Sequence, residues 1–600
     1  MIHAAAFKIG GPIANTVWGH GGFVRRTLAI EFGPILRFES RLVARRKSGY
    51  AVRMAFGLAL LALLATYHWA FGENVQRGDS PSRVKDFLSG TITAALLGLH
   101  FVTALLIAPI AAADGFSRER IRTMMPTLLV TDVTAPRIVV ETFAARLVPG
   151  IWLWLCLLPI TLFTVPWCGI DPNFVSVMEA VIFGSIVVGV ATTLALSLWS
   201  GQTFVALMGA YVLWGGLLFN WMIASGFAPP GSWNASASPF FLLISRWNRK
   251  PVPGWADAGL FMELAIGATT ILLVLMAVTL RPVMRSSLHR TTRRMRRLEA
   301  LRYAWQTWFR RLPGPTLDGN PVLWREWWRG RTSWGGRIFW VLYVGAACVG
   351  TVICVHEFWG GQIGRPDLAG LTGYEVAIGL LAVAVRAGGS WSEEKSSGRE
   401  GLDVLLATPL TAKAIVMGKW WGAFRAVPLV ALLPFLSAVI LAAGASLLPQ
   451  FPGGVQIPGD PVYLRSLERA LVPMVVLGQI VLYGAFFVSL GVLLATRCPR
   501  PSRAVLATVV IYVTIALFVP TVSELFFLNS NRVLAEGLGA LSPIGGPIVT
   551  LMSMFPSPYF STTREILPYA LAWLILMGIC AWTLTWWTIR RFDRWAGRAE

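Results

Sequence analysis

A chain of 600 residues that is 55% apolar and only 14% charged, with a mean hydropathy of +0.62, has the composition of a membrane protein. Soluble domains carry roughly 25% charged residues, so a multidomain cytosolic enzyme, a disordered chain and a disulfide-stapled secreted fold are excluded. The formal net charge of +22 would suggest a polyanionic partner in a soluble protein, but here the positions of the cations decide between that reading and membrane topology.

In chain order, Met1 to Arg53 holds no apolar stretch of signal-peptide length, and no cleavage is expected there. A helix crossing about 30 Å of hydrocarbon needs roughly 20 apolar residues. Twelve stretches qualify, at about 54–71, 88–112, 147–167, 178–200, 203–225, 260–280, 338–356, 373–391, 424–448, 470–496, 504–523 and 566–588. The predicted fold is therefore an all-α integral membrane protein of about 12 transmembrane helices. An even count puts both termini on one side. The segments then assigned to that side are the N-terminal stretch, 113–146, 201–202, 281–337, 386–425, 497–503 and the tail after Ile589. They hold 41 of the 52 Lys and Arg residues, an asymmetry that makes this side cytoplasmic. The middle stretch 281–337 alone has 14 Arg against three acids. It reads as an anchor to anionic lipid that also holds topology, and no nucleic-acid partner is needed to explain the charge.

Two halves repeat. Gly33-Pro34-Ile35-Leu36 followed by Glu39 matches Asn320-Pro321-Val322-Leu323 followed by Glu326. Leu128-Leu129-Val130-Thr131, with Thr134-Ala135 and Ile138-Val139, matches Leu405-Leu406-Ala407-Thr408, with Thr411-Ala412 and Ile415-Val416. Ser238-Pro239-Phe240 and Ser542-Pro543-Ile544 both precede the last helix of a half. The predicted organisation is a six-helix repeat over 1–300, a basic linker with an interfacial helix over 301–337, and a second six-helix repeat over 338–600. Six is even, so the repeats are parallel and the chain is a fused pseudo-dimer.

The most informative stretch runs from Ser390 to Lys419. Leu402, Leu405 and Leu406 stand at helical spacing opposite Arg399, Glu400 and Asp403, which predicts a short amphipathic helix. Pro409 disfavours helix at Thr408, and Thr411 can cap a second helix running toward Lys419. A helix, a sharp stop and another helix make a knuckle.

These residues resemble the permease subunits of type-2 ABC (ATP-binding cassette) exporters. Such permeases carry an acidic-basic start, a Leu-Leu-x-Thr-Pro-Leu core and a Gly-Lys end between their second and third helices, matched here by Glu394-Lys395, Leu405 to Leu410 and Gly418-Lys419. The Asn320 to Glu326 box looks like the interfacial element before the family's first helix. The resemblance implies that Glu394, Arg399, Leu402, Leu405, Leu406, Thr408, Pro409 and Lys419 serve coupling to a separate ATP-binding subunit, with Leu128, Leu129 and Thr131 as the first-half counterparts. It also implies export across a plasma (inner) membrane, ATP and Mg held by the partner, and no cofactor on this chain. The first half departs from the pattern, reading Thr131-Asp132-Val133 without a following Gly-Lys. That half either couples weakly or meets a different subunit; the lesser alternative for both boxes is an amphipathic helix lying at the membrane interface without a partner.

Gly418-Lys419 is followed by Trp420 and lacks the glycine five positions earlier, so no GxxxxGK[ST] phosphate loop exists; the chain is not expected to hydrolyse ATP itself. Cys156, Cys168, Cys348, Cys354, Cys498 and Cys580 show no metal or disulfide spacing and read as packing residues. His100, Gln479 and Asn220 are candidate pathway residues, with Glu179, Glu263 and Glu375 placed nearer the membrane interfaces. An ion-coupled carrier, a membrane-embedded transferase or protease, and a transport-inactive anchor for an ATPase remain alternatives.

Overall fold

The computed structural model describes residues 36–37, 47–76, 81–116, 133–168, 171–200, 203, 206–207, 209–211, 213–214, 237–244, 254–288, 315–317, 319–329, 334–359, 365–396, 405–447, 462–498, 501–520, 522–523, 531–554 and 561–597. Every regular element among them is helical, with no strand. In chain order these are α1 (Lys47–Gln76), α2 (Pro81–Ala112), α3 (Ala135–Cys168), α4 (Pro172–Ser200), the short α5 (Pro239–Ile244) and α6 (Trp255–Leu288). A turn of helix, α7 (Pro321–Trp324), continues as a wider π-type turn over Arg325–Arg329. Then follow α8 (Trp334–Trp359), α9 (Arg365–Gly388), α10 (Ser392–Ser396), α11 (Ala412–Phe424), α12 (Val427–Leu447), α13 (Val462–Arg497), α14 (Pro501–Val513), α15 (Arg532–Gly539), α16 (Gly545–Met552) and α17 (Thr563–Ala596).

Seven helical spans among the described residues are long and apolar enough to cross a membrane: 135–163, 172–200, 255–283, 370–388, 412–442, 470–497 and 563–596. The expected first, second, seventh and eleventh crossings coincide with shorter apolar stretches in α1, α2, α8 and α14. The expected fifth, 203–225, lies mostly outside the described residues. Helices built this way have no polar stripe, because lipid and neighbouring helices are both apolar solvents for a side chain.

Which helices face lipid is legible from burial. In α9, 78% of the most apolar window is buried and in α4 72%, against 22% in α6 and α17. The first two are therefore central and the last two peripheral, where Leu264, Ile271 and Val278 of α6 and Ile575 and Trp582 of α17 point outward. α4 packs against α2, α3 and α6, and α13 against α9, α12 and α17, while α2 touches α14 across the middle of the bundle. One apolar core accordingly joins Phe101, Ala108 and Ile186 to Val383, Tyr483 and Val505. Small residues permit the closest approaches: a Cβ at Gly491 of α13 would lie 2.5 Å from the Ala387 Cβ and 2.9 Å from the Gly388 nitrogen of α9.

Two of the four cysteines whose side chains are described depart from the expected packing role, and the Cys168 and Cys354 side chains lie outside the described ones. Cys156 and Cys348 are exposed on peripheral helices instead of packed, and Cys498 and Cys580 are half-buried free thiols. Glu179 and Glu375 are buried inside the helical bundle, 3% and 0% exposed. Helix ends follow the sequence more closely. Asn320 caps α7 through Val322 and Leu323, Thr411 caps α11 through Ala414, and Gly597, at φ 75°, terminates α17.

Candidate functional site

The knuckle begins where α9 ends. Leu405 and Leu406 are helical, and the chain then turns through Ala407, Thr408 and Pro409, as expected for a residue preceding proline. The Thr408 hydroxyl donates to the Leu405 carbonyl at 2.5 Å and closes that turn. Leu405 is buried in the main core and Leu406 packs at its edge, whereas Ala407, Pro409, Thr411 and Lys413 are exposed. The tip of the knuckle thus faces outward on an apolar root. Arg399, Leu402, Leu128, Leu129 and Thr131 lie outside the described residues.

Beneath the tip, α11 carries two glycines one turn apart, and the α7 element docks on them. A Cβ at Gly418 would lie 2.8 Å from the Val322 Cβ and 2.9 Å from the Leu323 nitrogen; one at Gly422 would lie 2.7 Å from the Glu326 Cβ. Asn320 fixes the register, its side-chain oxygen accepting from the Val322 and Leu323 amides while its Nδ2 donates to the Ala414 carbonyl at 2.9 Å. Gly418→Val is therefore expected to force α7 off α11 and to cost about 1–3 kcal/mol, the usual penalty of overpacking. Faster hydrogen exchange at the Val322 and Leu323 amides checks this. Unchanged protection there would contradict the docking.

Lys419 joins three segments at one ammonium. Its Nζ donates to Glu326 Oε1 at 2.6 Å, Glu394 Oε1 at 2.6 Å and the Ser390 carbonyl at 2.9 Å, and it sits 5.3 Å from the centre of the Trp391 ring. Trp391 in turn stacks on Phe592 of α17. Arg325 adds a second cation, 3.2 Å from Glu394 Oε1. The Lys419 and Glu394 side chains are 2% and 1% exposed, so the ion pair is a buried one whose charges depend on each other. Neither reaches the outer surface of the knuckle; they hold its root. Two more cations brace the same layer: Arg386 donates to the Gly422 carbonyl at 3.2 Å and Arg425 to the Trp327 carbonyl at 2.8 Å.

Lys395 closes the end of α13. Its ammonium donates to the Ala495, Thr496 and Cys498 carbonyls at 2.6, 3.2 and 2.6 Å, satisfying acceptors that the helix leaves open and meeting the negative end of its dipole. Burial pushes its pKa down, against the opposing effect of Cys498.

Within the bundle, the candidate pathway residues are already engaged. His100 of α2 faces Glu179 of α4 across 3.1 Å, and Glu179 also accepts from the Thr161 hydroxyl at 2.7 Å and the Trp154 indole at 2.9 Å. Each polar atom in this hub that has a partner offsets part of the cost of burying it among apolar helices. His100 Nε2 has no hydrogen-bond partner among the described residues. Gln479 of α13 bonds Thr550 of α16 at 3.0 Å, and the Tyr483 hydroxyl donates to Leu541 at 2.7 Å. These bonds pull α16 into contact with α9, α13 and α17. Glu375 accepts from Thr351 at 2.9 Å. Asn220 lies outside the described residues.

Sequence reasoning did not anticipate the Glu326–Lys419–Glu394 cluster or the His100–Glu179 pair, whose members lie 93, 25 and 79 residues apart. A charged residue inside an otherwise apolar run, Glu179 or Lys419, was the only available signal. Among the described residues, no group of three or more His, Cys, Asp or Glu side chains could hold a metal ion. No family model matches the chain, and no curated protein matches it.

Proposed function

We propose that the chain is the membrane-spanning permease subunit of a type-2 ABC transporter, organised as two parallel six-helix repeats with both termini cytoplasmic. A separate ATP-binding cassette subunit would hold ATP and Mg, and its movement would be passed through the knuckle to tilt one helical half against the other. The supporting observation is the knuckle itself. It offers an exposed tip, Ala407 to Lys413, on a root locked by Lys419 to the α7 element and to the end of α9. A push on such a tip moves several elements together, where a loose interfacial loop would absorb it. The packing of α4 on α2, α3 and α6, alongside that of α13 on α9, α12 and α17, favours the duplication. Lys419 has its three donors engaged, which leaves none for a phosphate.

The test is affinity purification of the full chain from mild detergent in its native host, beside an Ala407→Glu plus Lys413→Glu variant. Both positions are exposed, so the root and fold stay intact. Co-purification of a Walker-containing ATPase with the parent, reduced at least tenfold in the variant, is the expected result. Absence of any ATPase from folded parent chain rejects the permease reading. The second reading is an ion-coupled carrier, favoured by the buried His100–Glu179 pair. Substrate uptake driven by a pH gradient in vesicles lacking any ATPase would establish that reading instead.

A further inference from the structure

The end of α17 carries cations that no carboxylate among the described residues neutralises. The helix has 34 residues, about 51 Å at 1.5 Å per residue, against about 30 Å of hydrocarbon, so it must overrun the membrane. Its exposed face runs from Trp582, 67% exposed, through Trp586 at 43% and Trp587 at 41% to Arg590, Arg591 and Arg594, all exposed. Arg590 lies over Trp586, its guanidinium carbon 3.8 Å from the ring centre, and Trp586 stacks on Trp582. Beside it, exposed Arg497 at the end of α13 sits 5.3 Å from the Trp595 ring, and Trp595 meets Trp587 edge-on. None of these four guanidiniums pairs with a carboxylate among the described residues, and Asp593 is the one acid in the last three turns.

Two physical requirements follow. Tryptophan prefers the boundary between hydrocarbon and headgroups, so Trp582 and Trp586 set the depth of the helix and put Arg590 and Arg591 in the headgroup layer. A guanidinium laid on a ring keeps its N–H edge free for in-plane, two-pronged bonds to phosphate. Arg590, Arg591 and Arg594 crowd the last turns of α17, and Arg497 meets the same helix end through Trp595; like charges this near one another favour an anion beside them. A soluble anion would not explain why the cluster continues a lipid-facing tryptophan stripe.

We propose that Arg497, Arg590, Arg591 and Arg594, backed by Trp586 and Trp595, form a binding site for the headgroup of an anionic phospholipid. The site is independent of the transport reading. Its phosphate would lie between the ends of α13 and α17, and the acyl chains would run along the Trp582 face. A bound lipid would tie these two helices together where Lys395 already caps the first of them.

The test is native mass spectrometry of the purified full chain, titrated in detergent with phosphatidylglycerol or phosphatidylcholine. The parent is expected to retain phosphatidylglycerol in preference to phosphatidylcholine. An Arg590→Gln, Arg591→Gln and Arg594→Gln variant is expected to bind it on the order of 100-fold more weakly, from roughly fivefold for each headgroup-level arginine. Arg497→Gln, on the other helix, is expected to lose about fivefold and serves as the second variant should the triple one fail to fold. Millimolar inorganic phosphate is expected to leave the retained lipid in place. Equal retention by parent and both variants overturns the proposal. So does displacement by phosphate, which would make the site one for the free anion. A parent that shows no preference between the lipids would assign the face to an acidic protein segment or a second copy, and would overturn it too.

Discussion

Replacing Lys419 by Met is expected to destabilise the root of the knuckle by about 3–5 kcal/mol, the usual cost of removing one partner from a buried ion pair. The ammonium carries two carboxylates at 2.6 Å. Without it Glu394, 1% exposed at its side chain, keeps among the described residues only Arg325, whose own side chain is 38% exposed and 3.2 Å away. Glu326, at 22% exposure, can turn toward water, so most of the penalty falls on Glu394. The double variant Lys419→Met with Glu394→Gln should recover much of the loss, because the stranded charge goes with its partner. Hydrogen exchange across Ala412–Phe424 and a denaturant titration of the full chain measure both. If Lys419→Met left exchange in α11 unchanged, the root would be held by the glycine docking and Asn320 alone. In the transporter reading the same variant should uncouple: the ATPase would still bind the exposed tip, while substrate movement would fall.

The second large effect is expected at Glu179. Changing it to Leu strands the Trp154 indole, the Thr161 hydroxyl and His100 in an interior where water cannot replace the lost acceptor. Each unsatisfied group costs roughly 1–3 kcal/mol, although Thr161 can fall back on the Leu158 carbonyl at 2.9 Å. The expected loss is therefore about 2–6 kcal/mol from the other two groups, well above the roughly 0.6 kcal/mol of an average membrane hydrogen bond. The reason is that donors are orphaned and not exchanged. Glu179→Gln keeps one acceptor and should cost less, and Glu179→Leu with His100→Leu should be milder than Glu179→Leu alone. Unfolding of the purified chain in graded denaturing detergent ranks the four proteins. A Glu179→Leu chain as stable as the parent would mean that α2, α3 and α4 are held by apolar packing without this hub.

The sequence by itself determined the solvent this protein lives in and where its helices run, because those depend on composition and length over windows of about twenty residues. It also placed the local stops. Pro409 ends one helix and Thr411 begins the next, since backbone sterics and capping act within four residues. Tertiary structure alone decided which way the polar residues face. In an apolar helix nothing marks a face, since lipid and protein interior are alike to a side chain, so the sequence did not show that Lys419 of α11 turns inward to Glu326 and Glu394. It left His100 and Glu179 as isolated polar residues in separate helices, and only the packing of α2, α3 and α4 made them one hydrogen-bonded hub. A charge in an apolar run announces that a partner exists, but the partner's identity is set by which helices come together.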